Sequence, residues 1–305
     1  VVIVIDPKGD GELLRRCVIE CIEAGRLDDF YMFHLGFPEY SCDYNPVADY
    51  QKITEVAGRS TNQVAGEGNS AAFKEFAWRF ANICSQAMEA VGEEVSYETL
   101  SHYISNPEDV TERYLEKILH VEDPDWRQTV NEIAAEIDDR TASFKERTKY
   151  VIAMIHFSKD LLSARSDNIL RHLVGMLEYN KSYYDKIVAS FLPFLDKMTT
   201  GKASRLLNPS IKPTPGKKRL RWRDVISRRG VVYIGLDALT DPVVAVAVAS
   251  AALSDLISVS GEIYKTGSNF DEPTFKNHKS KLNKKWQGNV PILLHLDEFN
   301  ELITG

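Results

Sequence analysis

The sequence has few cysteines, no long hydrophobic run and no phosphate-binding loop, and each absence excludes a class of protein. Its four cysteines form no CxxC pair and no other metal-binding spacing, which excludes a disulfide scaffold and indicates a reducing cytoplasm. The longest uncharged apolar stretch runs from Val243 to Ser254. It is shorter than the about 20 residues that span a bilayer, so we expect no membrane segment in this chain and no secretory leader.

The composition is that of a soluble globular protein, with 44% hydrophobic and 27% charged residues. A length of 305 residues favours about two domains. The net charge of −7 is unevenly distributed, because residues 1–209 hold 23 Lys and Arg against 34 Asp and Glu, whereas residues 210–305 hold 14 against 10. The acidic chain therefore has a basic C-terminal part.

A strand, a helix and a second strand begin the chain, which predicts an α/β fold. The β-branched run VVIVI suits a parallel strand buried on both faces, and Phe30 to Leu35 forms the next strand. Residues 93–200 show helical patterns, with predicted helices at 96–105, 107–120, 126–139, 142–178 and 180–199. A linker at 201–218 leads to a strand after Gly230 and a helix from Asp241. The predicted domains are 1–92, 93–200 and 201–305.

Pro291 to Glu298 is predicted to be a buried strand that ends in two adjacent carboxylates. At the carboxyl edge of a parallel sheet, Asp297 can hold a nucleotide-bound Mg²⁺ through water, and Glu298 can polarise the attacking water. A solvated turn after any buried strand gives the same pattern, so this alternative stays open. We expect His295 inside the strand to be a packed core residue.

A nucleotide site also needs a phosphate cradle, GxxxxGK[ST], and the sequence does not contain it. Gly9 and Gly11 form a Gly-x-Gly pair before a helix, which could present backbone N–H groups to an anion. A simple helix entry turn is the favoured interpretation. We predict no zinc site and no Ser or Cys nucleophile.

Two segments combine basic and aromatic residues, a pattern that suits a groove binding the nucleic acid backbone without sequence specificity. The second segment, 276–286, ends in Trp286. The alternative is a solvated basic linker whose tryptophan packs inward. The candidate DNA-binding residues of the first segment, which surround Trp222, are Lys217, Lys218, Arg219, Arg221 and Arg223.

Collinear segments of the chain resemble conjugative coupling proteins, the TraD/TraG-type ATPases of type IV secretion in the FtsK/HerA group of RecA-like motors. The segments are VIVIDPKGDGELLRRC from Val2, CDYNPVADYQKITEVAG (42–58), GNSAAFKEFAWRFANI (68–83), GVVYIGLDAL (230–239) and ILLHLDEFNEL (292–302). The resemblance covers nearly the whole chain and is weakest over 93–215.

The resemblance implies an incomplete RecA-like P-loop NTPase-type parallel sheet with an inserted all-α domain. It implies ATP and Mg²⁺ as cofactors, with Asp297 as the metal-site acid and Glu298 as the catalytic acid. Asp6, Lys8 and Asp10 match a D-x-K-G-[DE] loop close to the nucleotide, for which a turn capped by Asp is the alternative. The complete protein would be a homohexamer, anchored in the inner membrane, that moves DNA to a secretion channel and contacts relaxase or other transfer proteins.

The chain departs from this family at both ends. The phosphate loop and the membrane anchor are expected before Val1, and further strands are expected after Glu298. We therefore expect the cytoplasmic middle of a motor that binds ATP poorly by itself. Two other functions stay open, namely a non-catalytic module that binds a relaxase through its all-α domain, and another FtsK/HerA-type DNA motor.

Overall fold

A computed structural model describes residues 1–61, 71–209, 216–266 and 290–297. The chain forms two compact units. The sheet unit comprises Val1–Glu55 and Lys197–Gly305, and the helical unit comprises Val56–Asp196. The predicted helical block began at residue 93. The helical unit begins earlier because the helix over Ala71–Val91 packs against the helices that follow it.

The architecture is α/β, with four parallel strands in the order β2-β3-β1-β4. The strands are β1 (Val2–Asp6), β2 (Phe30–His34), β3 (Val231–Gly235) and β4 (Leu293–Leu296). The helices are α1 (Gly11–Glu23), α2 (Thr54–Thr61), α3 (Ala71–Val91), α4 (Tyr97–Ser105), α5 (Pro107–Leu119), α6 (Trp126–Glu136), α7 (Asp139–Lys145), α8 (Lys149–Ala164), α9 (Asn168–Leu177), α10 (Lys181–Val188), α11 (Leu192–Thr199), α12 (Gly201–Leu207), α13 (Trp222–Ser227) and α14 (Pro242–Thr266).

The core of the sheet unit lies on β1 and β3, as the β-branched runs predicted. Ile3, Ile5 and Tyr233 are buried in these two strands. Helix α1 covers one face of the sheet with the apolar stripe that includes Cys17 and Cys21. It ends before Gly25, whose positive φ of 64° suits the left-handed turn after a helix.

Strand β4 is present, but the prediction that it is buried is wrong for its described side chains. Leu293 is 64% exposed, and His295, expected in the core, is also exposed. In the described part of the sheet, β4 lies at the edge and pairs with β1. A strand at an edge can carry an apolar sequence without being enclosed on both faces.

Helix α14 begins at the predicted place, where Asp241 accepts a hydrogen bond from the Val244 N–H at 3.2 Å, as expected of a cap. Its length and composition would allow it to cross a membrane, although 56% of the relevant window is buried. Buried core helices share these properties, so the indication is weak. The buried side of α14 includes Asp255, which accepts a hydrogen bond from the Tyr44 hydroxyl at 3.0 Å.

The helical unit confirms the predicted helix content with shorter elements. Ser96 caps α4 through a reciprocal capping box with Thr99. The predicted helix over 142–178 is divided into three, because Thr148 and Asp167 cap new helices by accepting from backbone N–H groups three residues later. Local periodicity does not show such breaks when the apolar spacing continues through them. In the sheet unit, α12 likewise replaces the start of the predicted linker.

Candidate functional site at the carboxyl edge of the sheet

The carboxyl ends of the four strands place polar side chains of distant segments at one edge. Asp6 ends β1 and His34 ends β2, and both pair in register with Gly235 at the end of β3. Asp297 follows β4, where its N–H donates to the Ile5 carbonyl at 3.0 Å. The structure therefore brings Asp6 and Asp297 to neighbouring strand ends. In open parallel sheets, ligands bind in the crevice outside this edge.

Asp6 is a buried carboxylate whose two oxygens close the loop after β1. It is 1% exposed. Its Oδ1 accepts the Gly9 N–H at 2.8 Å, and its Oδ2 accepts the Asp10 N–H at 2.6 Å and the Tyr233 hydroxyl at 2.6 Å. Burial, followed by the hydrogen bond to Asp6, raises the pKa of Tyr233, which keeps the phenol protonated as the donor. Asp6 therefore has the geometry of the capped turn that the sequence left as the alternative.

Asp10 is the N-cap of α1, since its Oδ1 accepts the Glu12 N–H at 2.9 Å. The N–H groups of Gly9 and Asp10 are already bonded to Asp6, and a second carboxylate stands at the helix N-terminus. An incoming phosphate would meet the negative charge of Asp6 and Asp10 here, so the geometry favours a helix entry turn over an anion cradle. Lys8, in the same loop, is partly buried.

His34 belongs to this edge, and sequence reasoning missed it. It is 3% exposed, its Nδ1 accepts the Gly36 N–H at 3.0 Å, and its Nε2 lies 3.4 Å from the Gly9 carbonyl oxygen. Burial lowers the pKa of His34, against smaller opposing effects of the Gly9 carbonyl, Asp237 and Asp6. The available signal was a polar residue that ends a buried strand and is followed two residues later by glycine.

The described residues offer few side chains to a magnesium ion at this edge. Among them, no group of three or more His, Cys, Asp or Glu side chains could form a metal cage. Mg²⁺ bound to a nucleotide needs one or two protein carboxylates, and Asp297, partly buried at the edge, can supply one. Glu298, the predicted catalytic acid, lies outside the described residues.

Most of the candidate DNA-binding cations have partners within the sheet unit. Lys217 Nζ lies 2.5 Å from Asp43 Oδ1, and Lys218 donates to the carbonyls of Asp28 and Phe30 at 2.7 and 3.0 Å. Arg223 forms an ion pair with Glu262. These contacts hold the segment after residue 216 against the rest of the sheet unit. Fewer of the candidate cations are therefore available to bind a phosphate backbone.

Arg221 and Trp222 differ sharply in their surroundings. The Arg221 side chain is exposed, and its guanidinium makes no hydrogen bond or ion pair with any residue in the part of the chain that the structure describes. Trp222 is 1% exposed and donates its indole N–H to the Tyr44 hydroxyl at 3.3 Å, so it packs inward and is not a stacking platform. Arg219, partly buried, is bridged through its backbone to Asp43.

The second basic segment, 276–286, lies outside the described residues. The site that remains is the carboxyl edge, which holds Asp297, the closed acidic loop after β1 and the enclosed imidazole of His34. No family model, curated protein or solved structure matches this chain.

Proposed function

We propose that this chain is the motor region of an ATP-driven DNA translocase of the conjugative coupling type, which delivers DNA to a type IV secretion channel. The observation that carries the proposal is that β1, β3 and β4 share one carboxyl edge. These strands come from three segments, far apart in the sequence, that each resemble the coupling proteins. An edge of this kind is where α/β proteins bind nucleotides.

We also propose how the complete protein is assembled. The sheet is then part of a RecA-like P-loop NTPase domain, and the helical unit corresponds to the inserted all-α domain that contacts a relaxase or other transfer proteins. The motor works as a homohexamer on the cytoplasmic side of an inner-membrane anchor. The helices over residues 107–139 are rich in Asp and Glu, so they suit protein contacts better than contacts with the phosphate backbone of DNA.

Within the motor, Asp297, Glu298 and the Asp6–Asp10 loop have separate tasks. Asp297 would hold Mg²⁺ through water, and the bound ion would supply charge neutralisation for the transferred phosphoryl group. Glu298 orients and polarises the attacking water. Asp6 and Asp10 keep the loop that carries Lys8 in one shape beside the nucleotide. A GxxxxGK[ST] loop, absent from these residues, supplies the phosphate cradle in the complete protein.

The direct test is ATP hydrolysis by the chain joined to the natural sequence that adjoins it. We expect hydrolysis that DNA stimulates, and we expect Glu298→Gln to lower the rate about 100-fold while ATP still binds, because the amide cannot polarise water. Phosphate release measures the rate, and the exposed Glu136→Gln serves as the matched control with an unchanged rate. Equal hydrolysis rates in the two variants would show that Glu298 has no role in the mechanism. Hydrolysis that DNA does not stimulate would contradict the proposed motor function.

Arg221 provides a test of DNA contact. We expect Arg221→Ala to weaken binding to DNA of any sequence and to reduce the slope of log affinity against log salt by about 1, as for the loss of one phosphate contact. Fluorescence anisotropy with labelled DNA at several salt concentrations measures both quantities. Arg171→Ala removes an exposed arginine from the helical unit and should leave the slope unchanged. The same change of slope in both variants would show that Arg221 makes no specific contact with a DNA phosphate.

A further inference from the structure

The His34 ring occupies a space that three glycines leave open. A Cβ added at Gly235 would lie 2.4 Å from His34 Cδ2, one at Gly9 would lie 2.7 Å from Nε2, and one at Gly36 would lie 3.1 Å from Cε1. Gly9 also has a φ of 73°, a conformation that residues with a side chain rarely adopt. The three glycines follow or end β1, β2 and β3, so the ring contacts the backbone at each of these strand ends.

The hydrogen bonds assign the proton of the neutral ring. Because the Gly36 N–H donates to Nδ1, the proton is on Nε2, which faces the Gly9 carbonyl at 3.4 Å. The face of the ring stacks with Tyr233 at a centroid distance of 6.3 Å, and Phe37 packs against it at 4.5 Å. A neutral ring thus links the loop after β1 to the turn after β2.

A second proton on this ring would break the link. It would place an N–H at Nδ1 against the Gly36 N–H, so two donors would face each other, and the close backbone would hinder the ring from turning away. The charged groups that face the ring are Asp6 at the end of β1 and Asp237 after β3. Both favour protonation, but burial opposes it more strongly, and Tyr233 remains a neutral phenol.

We propose that His34 is a positioning residue for the nucleotide site: its neutral ring holds the 6–10 loop against the Gly36 turn, and protonation of the ring releases that loop. The consequence for nucleotide binding rests on the function proposed above, whereas the consequence for the loop does not. His34 touches no reacting atom in this scheme. It acts through the loop that carries Lys8.

The direction of the pH effect follows from linkage. The native pKa of His34 lies below the value of about 6.5 of an unfolded histidine, so the unfolded state takes up the proton first. The contribution of the neutral ring to stability is complete above pH 6.5. It is lost as the pH falls below 6.5 towards the lower native pKa.

The test compares wild type with His34→Asn between pH 7.5 and 5.5. The asparagine amide oxygen can accept the Gly36 N–H and does not titrate. In wild type we expect the protection factors of the Gly9 and Asp10 amides in hydrogen exchange to fall at low pH, and nucleotide affinity to fall about fivefold in parallel. Both pH dependences should be flat in His34→Asn, and the exposed His172→Asn should behave like wild type.

Two results would overturn the role of His34. One is an imidazole that titrates in NMR like an exposed histidine or carries its proton on Nδ1, and the other is an identical pH profile of amide protection in wild type and His34→Asn. If His34→Asn does not fold, His34→Gln, whose amide N–H can face the Gly9 carbonyl, replaces it in the same comparison. If nucleotide binds at no pH, the proposed function fails, while the amide protection still decides the role of His34.

Discussion

Asp6→Ala is expected to lower the free energy of unfolding of the sheet unit by about 4 kcal/mol, close to a thousandfold in the unfolding equilibrium. The substitution removes an acceptor that serves two backbone N–H groups and the Tyr233 hydroxyl at once. Each donor left without a partner in a buried or partly buried place costs about 1–3 kcal/mol. Hydrogen bonds to an ionised carboxylate are also the stronger kind.

Hydrogen exchange of the β1 and β3 amides is the suitable measurement, because two compact units need not unfold in one transition. The control is Asp28→Ala, which removes an exposed carboxylate near the same sheet and should change the free energy by less than about 0.5 kcal/mol. A similar small change for Asp6→Ala would contradict the hydrogen-bonding role assigned to Asp6.

The contribution of the single hydrogen bond between Asp6 and Tyr233 can be measured separately. Tyr233→Phe removes the hydroxyl and should cost about 1–2 kcal/mol. In a double-mutant cycle with Asp6→Ala, the two losses should not add, because both remove the same 2.6 Å hydrogen bond. Additive losses would show that the hydroxyl is stabilised mainly elsewhere, for example by the Asp10 carbonyl at 3.3 Å.

Local sequence signals were sufficient for the elements that local chemistry determines. The β-branched runs predicted β1 and β3, and the helical patterns predicted α4 and α5 close to their observed bounds. Local signals did not predict the exposure of β4, because a run of apolar residues is compatible with both a central strand and an edge strand.

The carboxyl edge of the sheet was only partly predictable, because its contacts join residues that are distant in the sequence. The pattern Asp6-Pro-Lys-Gly-Asp10 indicated a capped turn or a nucleotide loop, and no local signal could show that Tyr233 occupies one carboxylate oxygen. His34 was missed for the same reason. Its surroundings are formed by glycines after three different strands, which become neighbours only when the parallel sheet forms.

Gly235→Ala should lower the free energy of unfolding of the sheet unit by about 3 kcal/mol, through overpacking against His34. Propensity alone predicts the opposite, since alanine in a strand interior is favoured over glycine by about 0.5–1 kcal/mol. The added Cβ would lie 2.4 Å from Cδ2 of an imidazole ring whose nitrogens meet the Gly36 N–H and the Gly9 carbonyl, so the ring cannot easily move away. Hydrogen exchange of the β3 amides measures the loss.

Gly261→Ala is the matched control, because a Cβ at this position in α14 would meet nothing within 4 Å. There the helix propensity acts alone and should raise stability by up to about 1 kcal/mol. The decisive comparison is Gly235→Ala in a His34→Ala background. Without the imidazole the same methyl group enters open space, so its cost should fall below about 1 kcal/mol. A cost that stays near 3 kcal/mol would mean that the strand backbone, and not His34, excludes the side chain at Gly235.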